Sequence, residues 1–546
     1  MFSCVLSGAV HGVQSYMLRI ETDISDGLPT FSMVGFVSAQ VREAQERVRV
    51  ALKNSGISLP PKRITVNFTP AEIPKRDLIA DLPIAVGLLE AMEVLDTNAA
   101  DGLLVLGGLS LDGVVTPIRG VLPIVREAAA EGIHTVMLPL QNVKEAAALG
   151  NVRTIGVSTL QEVMRYLRLT EEERENVIAG EAAAFENTER EARTQRAESL
   201  DSTGMDSVIV NSSKTDSEME ESKMADFKDI CGQSGVKRAL EIAAAGFHNV
   251  LMIGPPGSGK SMMAKCLPGI LPPLTREESL EVSAIYSIAG ELSPEKPLIH
   301  MRPFMAPHHS ITQQALVGGG VCPKPGVISL AHRGVLFLDE LPEFGREHLN
   351  LLRQPLEDQH IVISRNTGNY DFPTRFMLIA AANPCPCGYY PDPKCNCTQQ
   401  EILRYQNRMP GPILDRIDLT VDAPRVPVES LLQKKTAESS ARIRERVMAA
   451  QERQQVRFRE ENISFNGEMN TPQAEQYCAL GRAEKQFVKE IFQRMNLSAR
   501  AYHRILKVSR TIADLDASDR ITEDHLAEAV GYRCADRGKP GKEGMV

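Results

Sequence analysis

The sequence contains no tryptophan among its 546 residues, and aromatic residues make up only 5 % of it. It also lacks any run near the ~20 consecutive apolar residues that a membrane-spanning helix needs. The stretch MFSCVLSGAVHG contains no basic n-region, and Gly8, His11 and Gly12 interrupt its apolar residues. We therefore interpret it as a first β-strand and not as a signal peptide, and we expect a cytoplasmic protein without membrane contact.

Cysteine is too sparse for a disulfide-stabilised fold, since only 10 of the 546 residues are cysteine. Six are scattered, and in a reducing compartment we expect them to be small buried residues or inert thiols. The other four are Cys385, Cys387, Cys395 and Cys397, in the stretch NPCPCGYYPDPKCNC. Such a concentration needs its own explanation.

The acidic excess of the chain is confined to one segment. The formal net charge is −9, but residues 171–222 alone hold 15 acidic and 5 basic side chains. The rest is nearly neutral, so overall acidity does not exclude a nucleic acid as partner. The segment is poor in aromatic residues, which is typical of a solvated linker; an acidic partner-binding site is the alternative.

Strand and helix patterns divide the chain into several parts, which predicts a multidomain α/β protein. Residues 1–170 alternate strand and helix signals, with LLVLGGLSLDGVV predicted as a hairpin, and residues 171–223 form the predicted flexible linker. Residues 224–427 show fully apolar strands separated by helices, which indicates a parallel sheet covered on both faces. Residues 428–546 show mainly helical spacing and predict a lid or bundle.

A glycine-rich loop is the clearest motif. The stretch GPPGSGKS comprises Gly254, Pro255, Pro256, Gly257, Ser258, Gly259, Lys260 and Ser261. It follows the apolar strand NVLMI and precedes a helical pattern, which is the context of a phosphate-binding loop. Lys260 would contact the β- and γ-phosphates and Ser261 would bind Mg²⁺. A chance glycine-rich turn is the alternative, against which the flanking strand and helix argue.

Polar residues follow two other predicted buried strands. GVLFLDE ends on Asp339 and Glu340, at the strand end where open α/β sheets bind ligands. We expect Asp339 to hold Mg²⁺ through water and Glu340 to polarise the attacking water as a base. LIAAANP ends on Asn383, which could orient that water or sense a phosphate; a plain turn before Pro384 explains it equally well.

Two arginines are candidates for contact with a phosphate. GPILDRIDL places Arg416 between two acids. An arginine supplied to a neighbouring subunit's ATP accelerates hydrolysis by about 10³–10⁵ where such residues have been measured. A salt-bridged surface arginine is the alternative. LSARAYHR offers Arg500, near a predicted helix start, as a second sensor of phosphate.

Taken together, the motifs resemble those of the Mg-chelatase-like AAA+ ATPases, and among them the ComM/YifB group of bacterial proteins linked to natural competence. The resemblance covers residues 1–170 and 224–535 and is carried by GPPGSGKS, PHHS, LVGGG, ISLAHRGVLFLDELPEF, AAANPCPCGYY, GPILDRIDL and LSARAYHRILKVSRTIADL. It implies these roles: Walker A for Lys260 and Ser261, Walker B for Asp339 and Glu340, sensor 1 for Asn383, a trans-acting arginine finger for Arg416, and sensor 2 for Arg500.

The resemblance implies a ring, usually a hexamer, that hydrolyses ATP with Mg²⁺ and acts on single-stranded or branched DNA. The implied activity is helicase-type branch migration in natural transformation and homologous recombination. Two alternatives are a Mg-chelatase-type motor subunit that drives metal insertion into a tetrapyrrole, and a protein-remodelling ATPase. A hairpin before sensor 1 is also implied, and QHIVISRNTGNYDFPTRF fits it. Arg365 and Asn366 near its tip are candidates for the central pore; a plain sheet hairpin is the alternative.

The amino-terminal part resembles the Lon-protease-like domain of the same group, which has the fold of ribosomal protein S5 domain 2. A Lon-type protease needs a nucleophilic Ser paired with a Lys base. Here PKRDLIADLPIA has no Ser and places Ile79 near that position, while TPIRGVLP places Leu122 near the position of the Lys. Both departures argue against peptide hydrolysis.

The four clustered cysteines form two Cys-x-Cys pairs with seven residues between them. Four thiolates can close a tetrahedral Zn²⁺ site, although each pair is one residue shorter than the common spacing. We expect a structural zinc that braces the loop carrying Asn383, with unligated thiols as the alternative. His308 and His309 have no third ligand nearby, and we expect them to form hydrogen bonds in a loop that lines the ring.

Overall fold

The computed structural model describes residues 1–35, 38–71, 78–170, 172–174, 225–293, 295–320, 322–366, 368–426, 438–495 and 497–533. The predicted linker at 171–223 therefore lies outside the described residues, apart from 172–174. Within those ranges, no helix is both long enough and apolar enough to cross a membrane.

The amino-terminal region is a mixed sheet with helices. Its strands are β1 (Phe2–His11), β2 (Gln14–Ser25), β3 (Thr30–Val34), β4 (Arg63–Thr69), β5 (Leu103–Val105), β6 (Gly108–Leu109), β7 (Val115–Thr116), β8 (Thr135–Pro139) and β9 (Arg153–Val157). Its helices are α1 (Ala39–Asn54), α2 (Asp81–Ala91), α3 (Val121–Ala130), α4 (Val143–Ala147) and α5 (Leu160–Leu167). The main sheet has the order β3-β4-β2-β1-β5-β8-β9. Strand β2 is antiparallel to both β1 and β4, and the other neighbours are parallel.

The hairpin predicted over LLVLGGLSLDGVV is partly wrong. Strand β5 joins the main sheet in parallel between β1 and β8, and only β6 and β7 pair as a hairpin. The physical reason is burial. All the residues of β5 are buried, and a strand buried on both faces is favoured in the middle of a sheet.

Ile79 and Leu122, which the resemblance places near the catalytic positions of a Lon-type protease, lie in one hydrophobic cluster. Ile79 is 4 % exposed and Leu122 is 1 % exposed, and both pack in the cluster that also contains Leu104 and Ile124. Hydrophobic packing therefore occupies the place where the resemblance would put the catalytic Ser and Lys.

The central region is built on a parallel sheet. Its strands are β10 (Val250–Ile253), β11 (Phe304–Met305), β12 (Gly318–Gly319), β13 (Lys324–Pro325), β14 (Val335–Leu338), β15 (His360–Arg365), β16 (Gly368–Pro373), β17 (Met377–Ala382) and β18 (Leu419–Asp422). Its helices are α6 (Ser234–Gly246), α7 (Lys260–Cys266), α8 (Arg276–Ala289), α9 (Gln313–Val317), α10 (Val327–Leu330), α11 (Arg346–Leu351), α12 (Arg353–Asp358), α13 (Gln399–Gln406) and α14 (Gly411–Leu414).

This sheet has the order β11-β14-β17-β10-β18, and every neighbouring pair is parallel. Alternate residues of β14 enter different hydrophobic clusters: Val335 and Phe337 join one, while Leu336 and Leu338 join another. Both faces of the sheet are therefore covered, which confirms the prediction from the fully apolar strands.

The carboxy-terminal region is helical where it is described. Its helices are α15 (Ser440–Arg457), α16 (Thr471–Tyr477), α17 (Arg482–Met495), α18 (Ala499–Leu515) and α19 (Glu523–Gly531). Short 3-10 turns elsewhere span Leu78–Ala80, Leu140–Asn142, Phe227–Asp229, Leu267–Gly269, Leu341–Glu343 and Asn466–Glu468. Helix α15 packs on α6, where Gln451 and Gln454 donate side-chain hydrogen bonds to the carbonyl groups of Ala244 and Ala245. The carboxy-terminal helical region is thereby attached to α6, the helix that precedes β10 and the glycine-rich loop.

The amino-terminal region docks on α8 of the central region. The carboxylate of Glu145 accepts hydrogen bonds from the hydroxyl of Ser287 and from the backbone N–H of Leu122. Burial raises the pKa of Glu145 above its ordinary value. The Arg276 guanidinium donates to the carbonyl of Leu149 at 2.7 Å.

Candidate functional site

The glycine-rich loop turns at the carboxyl end of β10. The N–H of Gly254 donates to the carbonyl of Ala382 at 3.1 Å, which ties the start of the loop to the end of β17. A Cβ at Gly254 would lie 2.1 Å from the carbonyl oxygen of Ala423, so no side chain fits there. Gly259 has φ of +87°, and α7 begins at the next residue, Lys260. The strand, loop and helix therefore follow one another as a phosphate-binding loop requires.

Lys260 reaches back over this loop. Its Nζ donates to the carbonyl groups of Gly254 at 2.7 Å and Pro255 at 3.0 Å, and to the Asn383 side-chain oxygen at 3.3 Å. The residue is 8 % exposed, and burial lowers its pKa, an effect that the charges of Asp339 and Glu340 oppose. The structure thus brings Lys260 and Asn383 together from positions 123 residues apart.

Ser261 and Asp339 also meet at this edge. The Ser261 hydroxyl donates to Asp339 Oδ2 at 2.6 Å, and Asp339 Oδ1 accepts from the N–H of Glu340 at 3.0 Å. A hydroxyl and a carboxylate beside a phosphate-binding loop are oxygen donors of the kind that Mg²⁺ prefers, so the residues present fit that ion.

Glu340 has an unusual backbone conformation. Its φ of +52° lies in the left-handed region, which is uncommon for a residue other than glycine. The side chain is 55 % exposed, and its Oε2 lies 3.9 Å from His309 Nδ1. The neighbouring His308 forms a hydrogen bond with the Ser310 hydroxyl through Nδ1 at 2.8 Å. The loop that carries His308 and His309, which we call the histidine loop, therefore lies beside the Glu340 carboxylate, which is predicted to act as the base.

Sequence reasoning missed Gln233, which precedes α6. Its side-chain amide donates to the carbonyl of Ser258 in the glycine-rich loop at 3.2 Å and to that of Pro424 at 2.5 Å. Its own φ is +57°, so the conformation at this helix start is also left-handed. The motif GQSG was the available signal, since a glycine beside a polar residue at a helix start favours a special turn.

Arg416 lies at the opposite edge of the sheet from Lys260. Its carbonyl accepts from the side chain of Asn249, the residue just before β10, at 2.9 Å. Its guanidinium forms an ion pair with Glu357 and donates to the carbonyl of Pro412. Burial lowers the pKa of Arg416, and the charges of Arg353 and Arg500 add to this shift. Arg416, the predicted arginine finger, is thus separated from the glycine-rich loop of its own chain by the length of β10.

Arg500 accompanies Arg416 at that edge. Its Nη1 lies 3.5 Å from Asp415 Oδ2, and its side chain is 72 % exposed. Arg504, one turn later on α18, lies 3.8 Å from the same carboxylate. The two predicted phosphate-sensing arginines are therefore neighbours of each other, and their contacts are not with Lys260 or Ser261.

The four clustered cysteines converge. The ligand atoms of Cys385, Cys387, Cys395 and Cys397 all lie within 4.8 Å of one another. Cys385 Sγ is 3.4 Å from Cys387 Sγ and 3.7 Å from Cys395 Sγ, which are distances between unbonded sulfurs. The backbone N–H of Tyr389 lowers the pKa of Cys387 to about 6. Four convergent thiols are the donor set of a structural zinc site, so the residues fit that metal.

This knuckle, residues 385–397, packs against the glycine-rich loop. Gly388 has φ of +80°, and a Cβ placed on it would lie 2.5 Å from Cδ of Pro256. Nearby, the Arg425 guanidinium carbon lies 4.8 Å from the centre of the Tyr389 ring. The knuckle therefore contacts the loop directly, in addition to following Asn383 in the chain.

Strands β15 and β16 form the predicted hairpin and pair from His360–Pro373 to Arg365–Gly368. Arg365 ends β15 and Asn366 lies in the turn, and both are exposed. The basic stretch ARIRERVMAAQERQQVRFR is a second candidate for DNA contact, with a solvated helix face as the equal alternative. Several of its arginines form ion pairs with carboxylates of this chain: Arg446 with Glu241 and Glu438, Arg453 with Asp519, and Arg457 with Asp514.

Three family profiles match the chain. One described as magnesium chelatase, subunit ChlI, matches residues 226–431. One described as subunit ChlI of Mg-chelatase matches residues 20–142, and one described as the ChlI C-terminal region matches residues 437–533.

Similar proteins cover nearly the whole chain. Competence protein ComM of Haemophilus influenzae is 41 % identical over 531 residues, which is 97 % of this chain and 97 % of that protein. The uncharacterized protein YifB of Escherichia coli is 40 % identical over 537 residues, or 98 % and 97 % of the two chains. The magnesium-chelatase 38 kDa subunit of Rhodobacter capsulatus is 27 % identical over 174 residues, covering 29 % of this chain and 50 % of that subunit.

Proposed function

The chain belongs to the ComM/YifB family of Mg-chelatase-like AAA+ ATPases, and from this premise we propose that it is a ring-shaped motor, usually hexameric, that uses ATP to drive branch migration of DNA. The observation that carries the proposal is the placement of Arg416 and Lys260 at opposite edges of one sheet. Because the two cations of one chain lie at different edges, this placement favours a site that a neighbouring copy completes. The proposed domains are 1–170, the linker 171–223, 224–427 and 428–546.

The residues at the carboxyl edge divide the chemistry among them. Lys260 binds the β- and γ-phosphates, and Asn383, held by Lys260, orients the water or senses the γ-phosphate. Glu340 accepts the proton of the attacking water. Ser261 and Asp339 would hold Mg²⁺, which supplies charge neutralisation of the phosphate oxygens when bound.

Arg416 and Arg500 act from the neighbouring subunit. Both lie at the amino edge of the sheet around Asp415, and Glu357 holds the Arg416 guanidinium in the single chain. An arginine that reaches the γ-phosphate from outside stabilises the charge that develops during transfer. Hydrolysis is then sensitive to the subunit interface, which is how a ring converts ATP turnover into movement.

The DNA assignment is supported by the hairpin and by the relatives. Arg365 places a cation at the end of β15, beside an exposed turn. Contacts of this kind are made to the phosphate backbone and do not depend on sequence. The name of the Haemophilus influenzae relative associates that protein with competence, and the similarity extends over 97 % of both chains. Together these favour a motor in natural transformation and homologous recombination.

We also propose that the four cysteines bind a structural Zn²⁺. The convergence of their sulfurs within 4.8 Å supports this, and a cytoplasmic location would keep the thiols reduced. Because Gly388 contacts Pro256, the metal would hold the glycine-rich loop from one side while Asn383 holds Lys260 from the other. The zinc would thus support nucleotide binding without touching the nucleotide.

The test is ATP hydrolysis with and without branched DNA. We expect DNA to stimulate the wild-type enzyme. Lys260→Ala should abolish turnover and nucleotide binding, whereas Glu340→Gln should lower turnover by about 10²–10⁴-fold while ATP still binds. An active ATPase that neither binds forked or single-stranded DNA at low salt nor responds to it would contradict the proposal.

A chelatase motor subunit is the second candidate, because part of the chain resembles the 38 kDa subunit of magnesium chelatase. That similarity covers only 29 % of this chain. The two candidates differ in what stimulates hydrolysis. A chelatase motor binds its partner subunits and gains nothing from DNA, so the same assay separates them.

A further inference from the structure

The turn between β1 and β2 touches the hairpin that carries Arg365. His11 Nε2 lies 3.1 Å from the carbonyl oxygen of Asn369, and the His11 ring centre lies 4.1 Å from that of Tyr370. Val13 packs against the hydrophobic cluster that contains Ile363 and Tyr370. The amino-terminal region thus contacts β16 through residues 11–13, which we call the clasp.

The clasp fits closely against the strand. Gly12 has φ of +66°, and a Cβ on it would lie 2.9 Å from the carbonyl oxygen of Asp371 and 3.1 Å from its nitrogen. Gly368 has φ of +128°, and a Cβ there would lie 3.1 Å from the His11 ring. Each side of the contact therefore has a glycine where a side chain would collide.

The other strand of the hairpin is held by a different segment. A Cβ on Gly319 would lie 3.2 Å from the Arg365 guanidinium, and one on Gly318 would lie 3.1 Å from Cδ1 of Ile363. Both glycines belong to β12, which follows α9 and the histidine loop beside Glu340. The hairpin therefore lies between the clasp on one side and a segment that leads to the ATPase site on the other.

We propose that the clasp is a release contact by which the amino-terminal region controls the position of the hairpin. The contacts of His11 with the Asn369 carbonyl and with the Tyr370 ring are each weak, and Val13 is only partly buried against its cluster, so the hairpin can leave the clasp when it engages a ligand. This gives the amino-terminal region a role in coupling. The contact itself is independent of the proposed function, and its effect on DNA-stimulated hydrolysis rests on that function.

The matched variants are Gly12→Ala and Gly102→Ala. Both glycines lie in the amino-terminal region with similar φ, +66° and +70°, so the backbone strain is comparable. Gly102 has nothing within 4 Å of an added Cβ, whereas Gly12 meets Asp371. In the full chain, Gly12→Ala should speed amide hydrogen exchange across residues 360–373 by about threefold or more, and Gly102→Ala should leave it unchanged.

A second pair avoids backbone strain. His11→Ala removes the ring's contacts with Asn369 and Tyr370. The control, His134→Ala, removes a histidine that also lies near a backbone carbonyl, that of Asn151 at 3.2 Å, away from the hairpin. Only His11→Ala should speed exchange in the hairpin and change the ratio of DNA-stimulated to DNA-free turnover. Exchange equal to wild type in both Gly12→Ala and His11→Ala would overturn the clasp. If DNA does not change ATP turnover of the wild-type enzyme, the proposed function is rejected. The hydrogen-exchange measurement then still tests the clasp by itself.

Discussion

Arg416 and Lys260 stand at opposite edges of the parallel sheet, one before β18 and the other after β10. Four residues of β10 separate the edges, which corresponds to about 13 Å at the usual rise per residue. In the proposed ring, a cation so placed would serve a nucleotide on another subunit. Arg416→Ala should therefore lower ATP turnover by about 10³–10⁵-fold while nucleotide binding persists.

Rings assembled from two different variants show whether Arg416 acts on the nucleotide of a neighbouring subunit or on that of its own subunit. Arg416→Ala and Lys260→Ala are each expected to be inactive. When the two are co-assembled at equal amounts, about a quarter of the interfaces should pair an intact loop with an intact arginine, as expected for head-to-tail contacts in a ring. Turnover should recover to that extent. Mixtures as inactive as the single variants would show that Arg416 does not act across the interface.

The cysteine knuckle should contain about one zinc per chain in protein purified without tags or chelators, because four thiolates complete a tetrahedral site. Cys385→Ser should lower the zinc content and weaken ATP binding, since the knuckle contacts Pro256 through Gly388. Metal analysis and nucleotide titration check both effects. Cys4→Ser, which changes an exposed thiol in β1, is the control and should match wild type. Zinc near zero in the wild-type protein would reject the site.

Arg365 should contribute to DNA binding through charge alone. Arg365→Ala is expected to weaken binding of all sequences alike and to reduce the slope of log affinity against log salt by about 1. Fluorescence anisotropy at several salt concentrations measures this slope. Arg19→Ala, at an exposed position of β2, provides the comparison. An unchanged slope in Arg365→Ala would remove this residue from the DNA interface.

The buried ion pair between Arg47 and Asp81 is expected to stabilise the amino-terminal region against unfolding. Arg47 donates to Asp81 Oδ2 at 2.8 Å and Oδ1 at 3.0 Å, and the Asp81 side chain is 2 % exposed. Arg47→Ala would leave a buried carboxylate without its cation and should lower the free energy of unfolding by about 3 kcal/mol.

The control for this pair lies on the same helix. Arg49 lies 3.1 Å from Glu46, and both side chains are more than half exposed. Arg49→Ala should therefore cost less than about 1 kcal/mol. Thermal and chemical unfolding compare the two variants, and equal stabilities would contradict the importance of burial.

The sequence was most informative where the chemistry depends on contiguous residues. The strand–loop–helix around Lys260 and the apolar strand before Asp339 were recognisable because a buried strand and its following loop have a local pattern. The parallel sheet of the central region was predictable for the same reason, because its strands are fully apolar. The strand β5 was misassigned because an apolar run by itself does not specify its partner.

Local sequence patterns were enough to identify the residues that can carry the chemistry: a phosphate loop, two acids at a strand end, four thiols and two candidate arginines. Which of these residues meet depends on the three-dimensional fold. His11 reaches Asn369 across 358 positions, Gly388 contacts Pro256, and Arg416 is kept away from Lys260. The physical reason is that local pattern fixes secondary structure, whereas the order and direction of strands in a sheet determine which chain ends share an edge.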